Sequence, residues 1–468
     1  MVPFFPKQIA DRAITVYLIS LATVCIVFHH YVMKWGYIIL GITWIFAFFL
    51  LTAYWSKKWR NISTQMFIRN LFVIALLIRL VWVIASYFYY IEATGQPFEF
   101  ATGDALGYHE EAKWLASEPW STTWNYYFGQ DSRGISDVGY PLYLSVVYRI
   151  FGPIIIIPRF IKAFLSAYTC VLLYRVSART FGEDVARMAG IMYALMLNFV
   201  VYCGYHLKET EMIFLSIAFL ERADYLLRSH KINFGNVLLP TILAGSLFFF
   251  RTVLGVVAVF ALATGVLVSR APTMKRGWRR TALIAWGVLC LGIFSGGTAM
   301  TEVETIWEQK EENVVRKRYE QTTRGNQWAK YATGTVMAPM AFVLPFATMI
   351  DVDQQYSQQS LHSGNFIRNF LGFFAILAIY EALRKKKWRD FVLIGSFVIG
   401  YLGVVSLSGF SNAERFLLPG LPCLIMMWAY GISSLREKTY RLLTSWSAIV
   451  VLMEVAWAFF KLGNRGLL

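Results

Sequence analysis

Four short stretches of this 468-residue sequence carry side chains suited to chemistry on a hydroxyl or a phosphate. The first is Gly103-Asp104-Ala105-Leu106-Gly107-Tyr108, an acid and a phenol heading a helix-prone segment that runs to Ala116. The second is His206-Leu207-Lys208-Glu209, and the third is Arg251, alone between two apolar runs. The fourth is Asn412-Ala413-Glu414-Arg415-Phe416. A carboxylate takes the proton of an attacking hydroxyl, and cations hold a departing phosphate whose charge grows in the transition state. Asp104 suits the first role, with Glu209 as a second acid. Lys208, Arg251 and Arg415 suit the second, arginine being fitted to forked phosphate contacts. Tyr108, His206 and Glu414 stand beside them as candidate substrate contacts.

Each of these residues has a plainer reading. Asp104 occupies the place of a helix N-cap, where a short carboxylate accepts the first orphan N–H groups. Tyr108, followed by Ala112 and Leu115 on one helical face, also suits an interfacial aromatic anchor. Lys208 and Glu209 make a local ion pair, and Arg251 and Arg415 fit cations reaching for headgroups from span ends. His206 and Glu209, one turn apart, supply two ligands for a divalent metal, too few to argue a site. The residues leave a metal cofactor undecided.

What must position these groups is set by composition. With 57% hydrophobic and only 15% charged residues, the chain has too little polar surface for a soluble protein, so the class is polytopic membrane protein. The net charge of +16 is not a nucleic-acid signal, because the cations sit in short clusters between apolar runs. The five cysteines, Cys25, Cys170, Cys203, Cys290 and Cys423, all lie in apolar segments and read as packing residues. The first apolar run is too long for a cleavable signal peptide, and no small-residue cleavage site follows it.

Runs of about 20 apolar residues predict thirteen spans, at about 13–33, 36–55, 66–90, 158–180, 184–203, 206–228, 232–250, 253–270, 281–299, 366–384, 390–409, 415–434 and 443–461. Placing Lys57, Lys58 and Arg60 inside sends residues 91–157, rich in Asp and Glu, to the outer side. Residues 140–151 read as a second interfacial helix, since Gly152-Pro153 breaks the run. A crossing there would also invert two later basic clusters. The chain then divides into a two-span N-terminal addition (1–65) and a transmembrane core (66–299) carrying the external loop 91–157. A second external loop (300–365) follows, then C-terminal helices (366–468). That second loop opens with the capping-box pattern Thr301-Glu302-Val303-Glu304, leading an amphipathic helix to about 320. It also holds an apolar, proline-containing piece at 335–350 of re-entrant or interfacial kind. Arg79, near the middle of its span, calls for a structural partner.

In this order the pieces resemble the C-type (GT-C) integral-membrane glycosyltransferases, the group of the protein mannosyltransferases and aminoarabinose transferases. The resemblance is carried by Asp104 and Tyr108 in the first loop, Gly139-Tyr140-Pro141-Leu142-Tyr143, and Arg159 at the head of a span. Leu173-Tyr174-Arg175, Lys208-Glu209 and Glu414-Arg415-Phe416 complete it. It covers 66–228 well and 232–434 loosely. It implies an all-α fold, a polyprenyl-phosphate sugar donor, an extracytoplasmic active site, inversion at the anomeric carbon and Asp104 as the catalytic base. Many relatives follow that acid with Glu, where this chain has Ala105. The acceptor would be a glycolipid, a glycan or a protein. The compact size and short loops suggest a bacterial cell (inner) membrane.

Two other readings share the hydropathy. An O-antigen ligase or polymerase, using a lipid-diphosphate donor, would rely on an Arg and a His in a late external loop, and His362 and Arg368 are available. A lipid-linked sugar flippase or transporter would carry broken helices, midplane charges and repeated halves. This sequence has no evident repeat and few midplane charges besides Arg79.

Overall fold

A computed structural model describes residues 2–100, 103–129, 138–229, 233–268, 339–352, 355–407, 414–463 and 467. Among them there is no strand, only an isolated antiparallel bridge between Val32 and Ile350. In a bilayer this follows from the need to satisfy every backbone polar group within the segment itself. The helices are α1 (Lys7–Val27), α2 (Trp35–Lys58), α3 (Thr64–Thr94), α4 (Gly103–Ser117), α5 (Trp120–Phe128) and α6 (Gly139–Phe151). They continue as α7 (Ile156–Phe181), α8 (Glu183–Leu195), α9 (Leu197–Gly204), α10 (Glu209–Arg228), α11 (Phe234–Phe250) and α12 (Thr252–Val268). The last are α13 (Tyr356–Ser360), α14 (His362–Arg384), α15 (Val392–Leu407), α16 (Glu414–Leu417), α17 (Leu421–Ser433) and α18 (Glu437–Gly463).

Among the described residues seven helical stretches are long and apolar enough to cross a membrane: α1, α2, α3, α7, α14, the run Glu414–Ser433, and α18. Counting α8 and α9 as one bent span makes eight. The helices α11, α12 and α15 are apolar but shorter. The helix α10 keeps its charges at its two ends, Glu209 and Glu211 at one and Glu221, Arg222, Asp224 and Arg228 at the other. The span expected at 281–299 and the charged helix expected at 301–320 lie outside the described residues. The piece at 335–350 is not a spanning helix where it is described: a 3-10 turn at Pro339–Phe342 leads to the bridge at Ile350.

Local chemistry explains several boundaries. Ser63 caps α3 by accepting from the Met66 N–H at 3.3 Å, and Gly95, at φ 74°, ends the helix in the left-handed region. The first span starts earlier than expected, at Lys7, because Pro6 stands just before it in an extended conformation. Pro141 falls in the first turn of α6, where a missing N–H costs nothing.

The expected continuous span at 184–203 is broken. Met196 is extended (φ −69°, ψ 115°), and α8 and α9 meet at 43°. A helix end inside an apolar bundle leaves carbonyls without partners. Arg79 of α3, fully buried, supplies donors to the Ala194 carbonyl (3.1 Å) and the Tyr193 carbonyl (3.4 Å), and bonds Ser166 Oγ at 2.7 Å. Trp44 Nε1 of α2 reaches the Leu195 carbonyl at 2.9 Å. The mid-span arginine is therefore structural, and the N-terminal pair of helices joins the core: α2 packs along α8, and α1 along α18.

The two ends of the bundle differ. One carries the ion pairs of Arg179 with Glu221 (2.9 Å) and Asp224 (2.7 Å), and Glu381 among Arg384, Lys385 and Arg436. The other carries α4, α5 and α6 and the beginnings of α7 and α10, and it holds the candidate site.

Candidate functional site

The helix α4 buries Ala105, His109, Ala112 and Leu115 and lays this face on α6, where Tyr140, Leu144 and Tyr148 receive it. The buried stripe is one residue out of step with Tyr108, which lies half-buried at its edge and meets the Tyr140 ring edge-on at 5.1 Å. Trp120–Phe128 forms an extra helix that hydropathy did not suggest. Its Tyr127 hydroxyl donates to Glu111 of α4 at 3.0 Å.

Asp104 is not an N-cap: it is the second residue of α4, inside the first turn. A carboxylate there still complements the positive end of the helix. Its partner is distant in sequence, for the Arg415 guanidinium donates to Asp104 Oδ2, the two side chains being 37% and 49% exposed. Arg415 also lies 4.9 Å from the centre of the Phe416 ring, and Arg251 lies 4.6 Å from the same ring. Two guanidiniums thus flank one aromatic ring, whose quadrupole favours cations. Arg251 sits in the extended residue between α11 and α12 and bonds the Tyr401 hydroxyl, which in turn donates to the Phe416 carbonyl at 2.7 Å.

Glu209, at the first position of α10, is buried and within electrostatic reach of Arg415, with one carboxylate oxygen lacking a hydrogen-bond partner. Lys208, also buried, holds its ammonium 5.8 Å from the centre of the Tyr108 ring. Of the residues expected at the site, Asp104, Tyr108, Lys208, Glu209, Arg251 and Arg415 are brought together.

Two are not. Glu414 turns inward to Asn198 and Asn365, with Arg368 nearby, and is buried, so it anchors α16 rather than facing the site. Adjacent helical residues project about 100° apart, so burying Glu414 leaves Arg415 pointing at Asp104. The His206 ring is boxed by Phe98, His109 and Tyr140, with its Nε2 3.2 Å from the Tyr148 hydroxyl. That hydroxyl also meets His109 Nδ1 at 2.8 Å. Burial first, and then the charges of Lys162 and Arg159, hold the His206 imidazole well below its ordinary range, so it is neutral. The two residues open to the ligase reading are packed away: His362 bonds the Tyr17 hydroxyl (2.8 Å) and the Gln359 carbonyl, and Arg368 is buried toward Glu414.

Beneath the site lie charged groups to which the sequence motifs assigned no chemical role: Glu99, Arg159, Lys162 and Glu211, all buried. Burial pushes the Glu99 carboxyl up, against its backbone hydrogen bond and the pull of Arg159. The available signal was ionisable residues one turn apart in an otherwise apolar span, as at Arg159 and Lys162. Among the described residues no three His, Cys, Asp or Glu side chains group so as to hold a metal ion.

No family model and no curated protein sequence matches this chain.

Proposed function

We propose that this protein is an inverting membrane glycosyltransferase of the C type, moving a sugar from a polyprenyl-phosphate donor to an acceptor hydroxyl. The observation that carries the reading is the convergence of one carboxylate and two guanidiniums: Asp104 on Arg415, and Arg415 with Arg251 on Phe416. In the reaction the acceptor oxygen attacks the anomeric carbon and its proton passes to Asp104. The bond from that carbon to the phosphate oxygen breaks, and the polyprenyl phosphate leaves with the electron pair. Arg251, Arg415 and Lys208 neutralise the charge that accumulates on it. The donor phosphate replaces Asp104 as the partner of Arg415 and so frees the carboxylate to act. Glu209 keeps Arg415 oriented during the exchange.

The lipid tail of the donor suits a groove between spans. One of about 440 Å3, lined by Trp44, Phe48, Leu77, Val81 and Trp82, runs between α2 and α3. The basic clusters between the apolar runs support a site on the extracytoplasmic face of a cell membrane, where lipid-linked sugars are presented. The test is transfer by purified protein in liposomes with radiolabelled polyprenyl-phosphate sugars and membrane extract as acceptor. Movement of label from a lipid monophosphate supports the reading, whereas transfer only from a lipid diphosphate, or transport of the lipid without any acceptor, sinks it.

A further inference from the structure

Under the candidate site the chain buries charges that neither the proposed base nor the phosphate-binding cations account for. Lys162, on α7, is wholly buried. Its ammonium donates to the main-chain carbonyls of Tyr205 (2.9 Å) and Leu207, on either side of His206. It lies 3.8 Å from the Glu211 carboxylate on α10 and 4.9 Å from the centre of the Tyr140 ring on α6. Close by, Arg159 donates to the Pro97 carbonyl, and Glu99 accepts the His206 N–H at 3.2 Å.

A buried ammonium is costly unless its donors are satisfied, and a buried ion pair stabilises a fold no better than well-packed apolar residues. The charge therefore has to be explained by what it holds. Tyr205–Lys208 is a non-helical link between α9 and α10. Just before it Gly204 packs closely against α3, where an added Cβ would meet the Ser86 hydroxyl, and Trp82 Nε1 at 3.0 Å. At its end stand Lys208 and then Glu209. Lys162 clamps the middle of this link and the first turn of α10 at once. The same Tyr140 ring supports Tyr108, which the Lys208 ammonium faces.

We infer that Lys162, paired with Glu211, is a positioning residue that sets the Tyr205–Lys208 link so that the Lys208 ammonium meets the phosphate of the lipid-linked donor. The identity of the ligand rests on the glycosyltransferase reading; the clamp does not.

The test uses the full chain in nanodiscs and the variant Lys162→Met/Glu211→Gln, which removes both charges so that no carboxylate is left stranded. Amide hydrogen exchange at 205–209 is expected to rise about tenfold while exchange in α3 and α7 is unchanged. The KM for the polyprenyl-phosphate sugar is expected to rise about tenfold, with kcat less affected. Lys208→Ala should give the same KM change and add nothing further in the combined variant, as groups acting through one another do. If the double variant does not fold, Lys162→Gln, which keeps an N–H donor for one carbonyl, should show the same changes at smaller size. Unchanged exchange at 205–209 overturns the clamp, whether or not the protein transfers sugar. Multiplying effects of the Lys162 and Lys208 changes, or wild-type protein without donor turnover, overturns the link to the donor phosphate.

Discussion

Arg415 pairs with Asp104 across 311 residues of chain, joining the head of the early helix α4 to the start of the late apolar run Glu414–Ser433. In the proposed sugar transfer each half of the pair has a use, the carboxylate as base and the guanidinium as phosphate ligand. In the absence of substrate they satisfy one another. A half-exposed ion pair of this kind contributes about 1 kcal/mol or less to stability, so its presence argues for chemistry more than for folding.

Asp104→Asn should lower transfer by about a hundredfold or more, the usual share of a general base, while the melting temperature stays close to that of the wild type. Initial rates of label transfer, with a thermal melt on the same sample, check both halves. Wild-type rates in the variant would remove Asp104 from the mechanism.

Arg251→Lys and Arg415→Lys should each impair transfer nearly as much as the corresponding alanine changes. A lysine keeps the charge but loses both the planar stacking on Phe416 and the forked contact to phosphate. A loss of about tenfold to a hundredfold in kcat/KM is expected, by comparison with the removal of one preorganised donor. Full activity in both lysine variants would reduce the arginines to general positive charge.

Arg79→Leu should destabilise the protein without touching the chemistry directly. It strips donors from the buried Tyr193 and Ala194 carbonyls at the break after α8, at about 1–3 kcal/mol for each buried group left unsatisfied. Trp44→Phe, which frees only the Leu195 carbonyl, should cost less. Thermal melts in detergent rank the two. A melting temperature unaffected by Arg79→Leu would mean that the break is satisfied in another way.

His206 should contribute a loss of stability as the medium is acidified. Its folded value lies well below the ordinary 6.5, because of burial and then the nearby Lys162, Arg159 and His109. The unfolded chain therefore binds this proton more readily than the folded one. The contribution is fully present above pH 6.5 and is lost as pH falls below that value and through the depressed folded one. The Glu99 carboxyl, raised by burial, acts with the opposite sign: its contribution is present below its ordinary 4.5 and lost as pH rises through its folded value. Between pH 8 and pH 5 the melting temperature of the wild type should fall relative to that of His206→Gln. Parallel curves would exclude His206 as the source.

Features that depend on near neighbours in the chain could be read before the fold was known. The short helices at Gly103–Ser117 and Gly139–Phe151 follow from local periodicity and from Gly152, and apolar runs mark the long helices, though Lys7–Val27 and Glu437–Gly463 begin earlier than the runs suggest. The break at Met196 could not be read that way. Nothing local forbids helix there, and it persists because Arg79 and Trp44, more than a hundred residues away, take its carbonyls. The same holds for the cap assigned to Asp104, since a carboxylate in the first turn and one just before it look alike in sequence.

By itself, then, the sequence determined a helical membrane protein with short helices, one headed by Asp104, between its apolar runs and with arginines and lysines at the ends of those runs. Burial of apolar surface and backbone hydrogen bonding within each helix are local demands, and local pattern meets them. Tertiary structure decided which member of each polar pair faces the site. Glu414 and Arg415 are adjacent and both charged, yet Asn198 and Asn365 draw the first inward while Asp104 meets the second. Likewise His206 is held by Tyr148, and Lys208 and Glu209 stand on a link clamped by Lys162. These choices depend on side chains brought together from distant helices, a contact geometry that hydropathy and spacing do not encode.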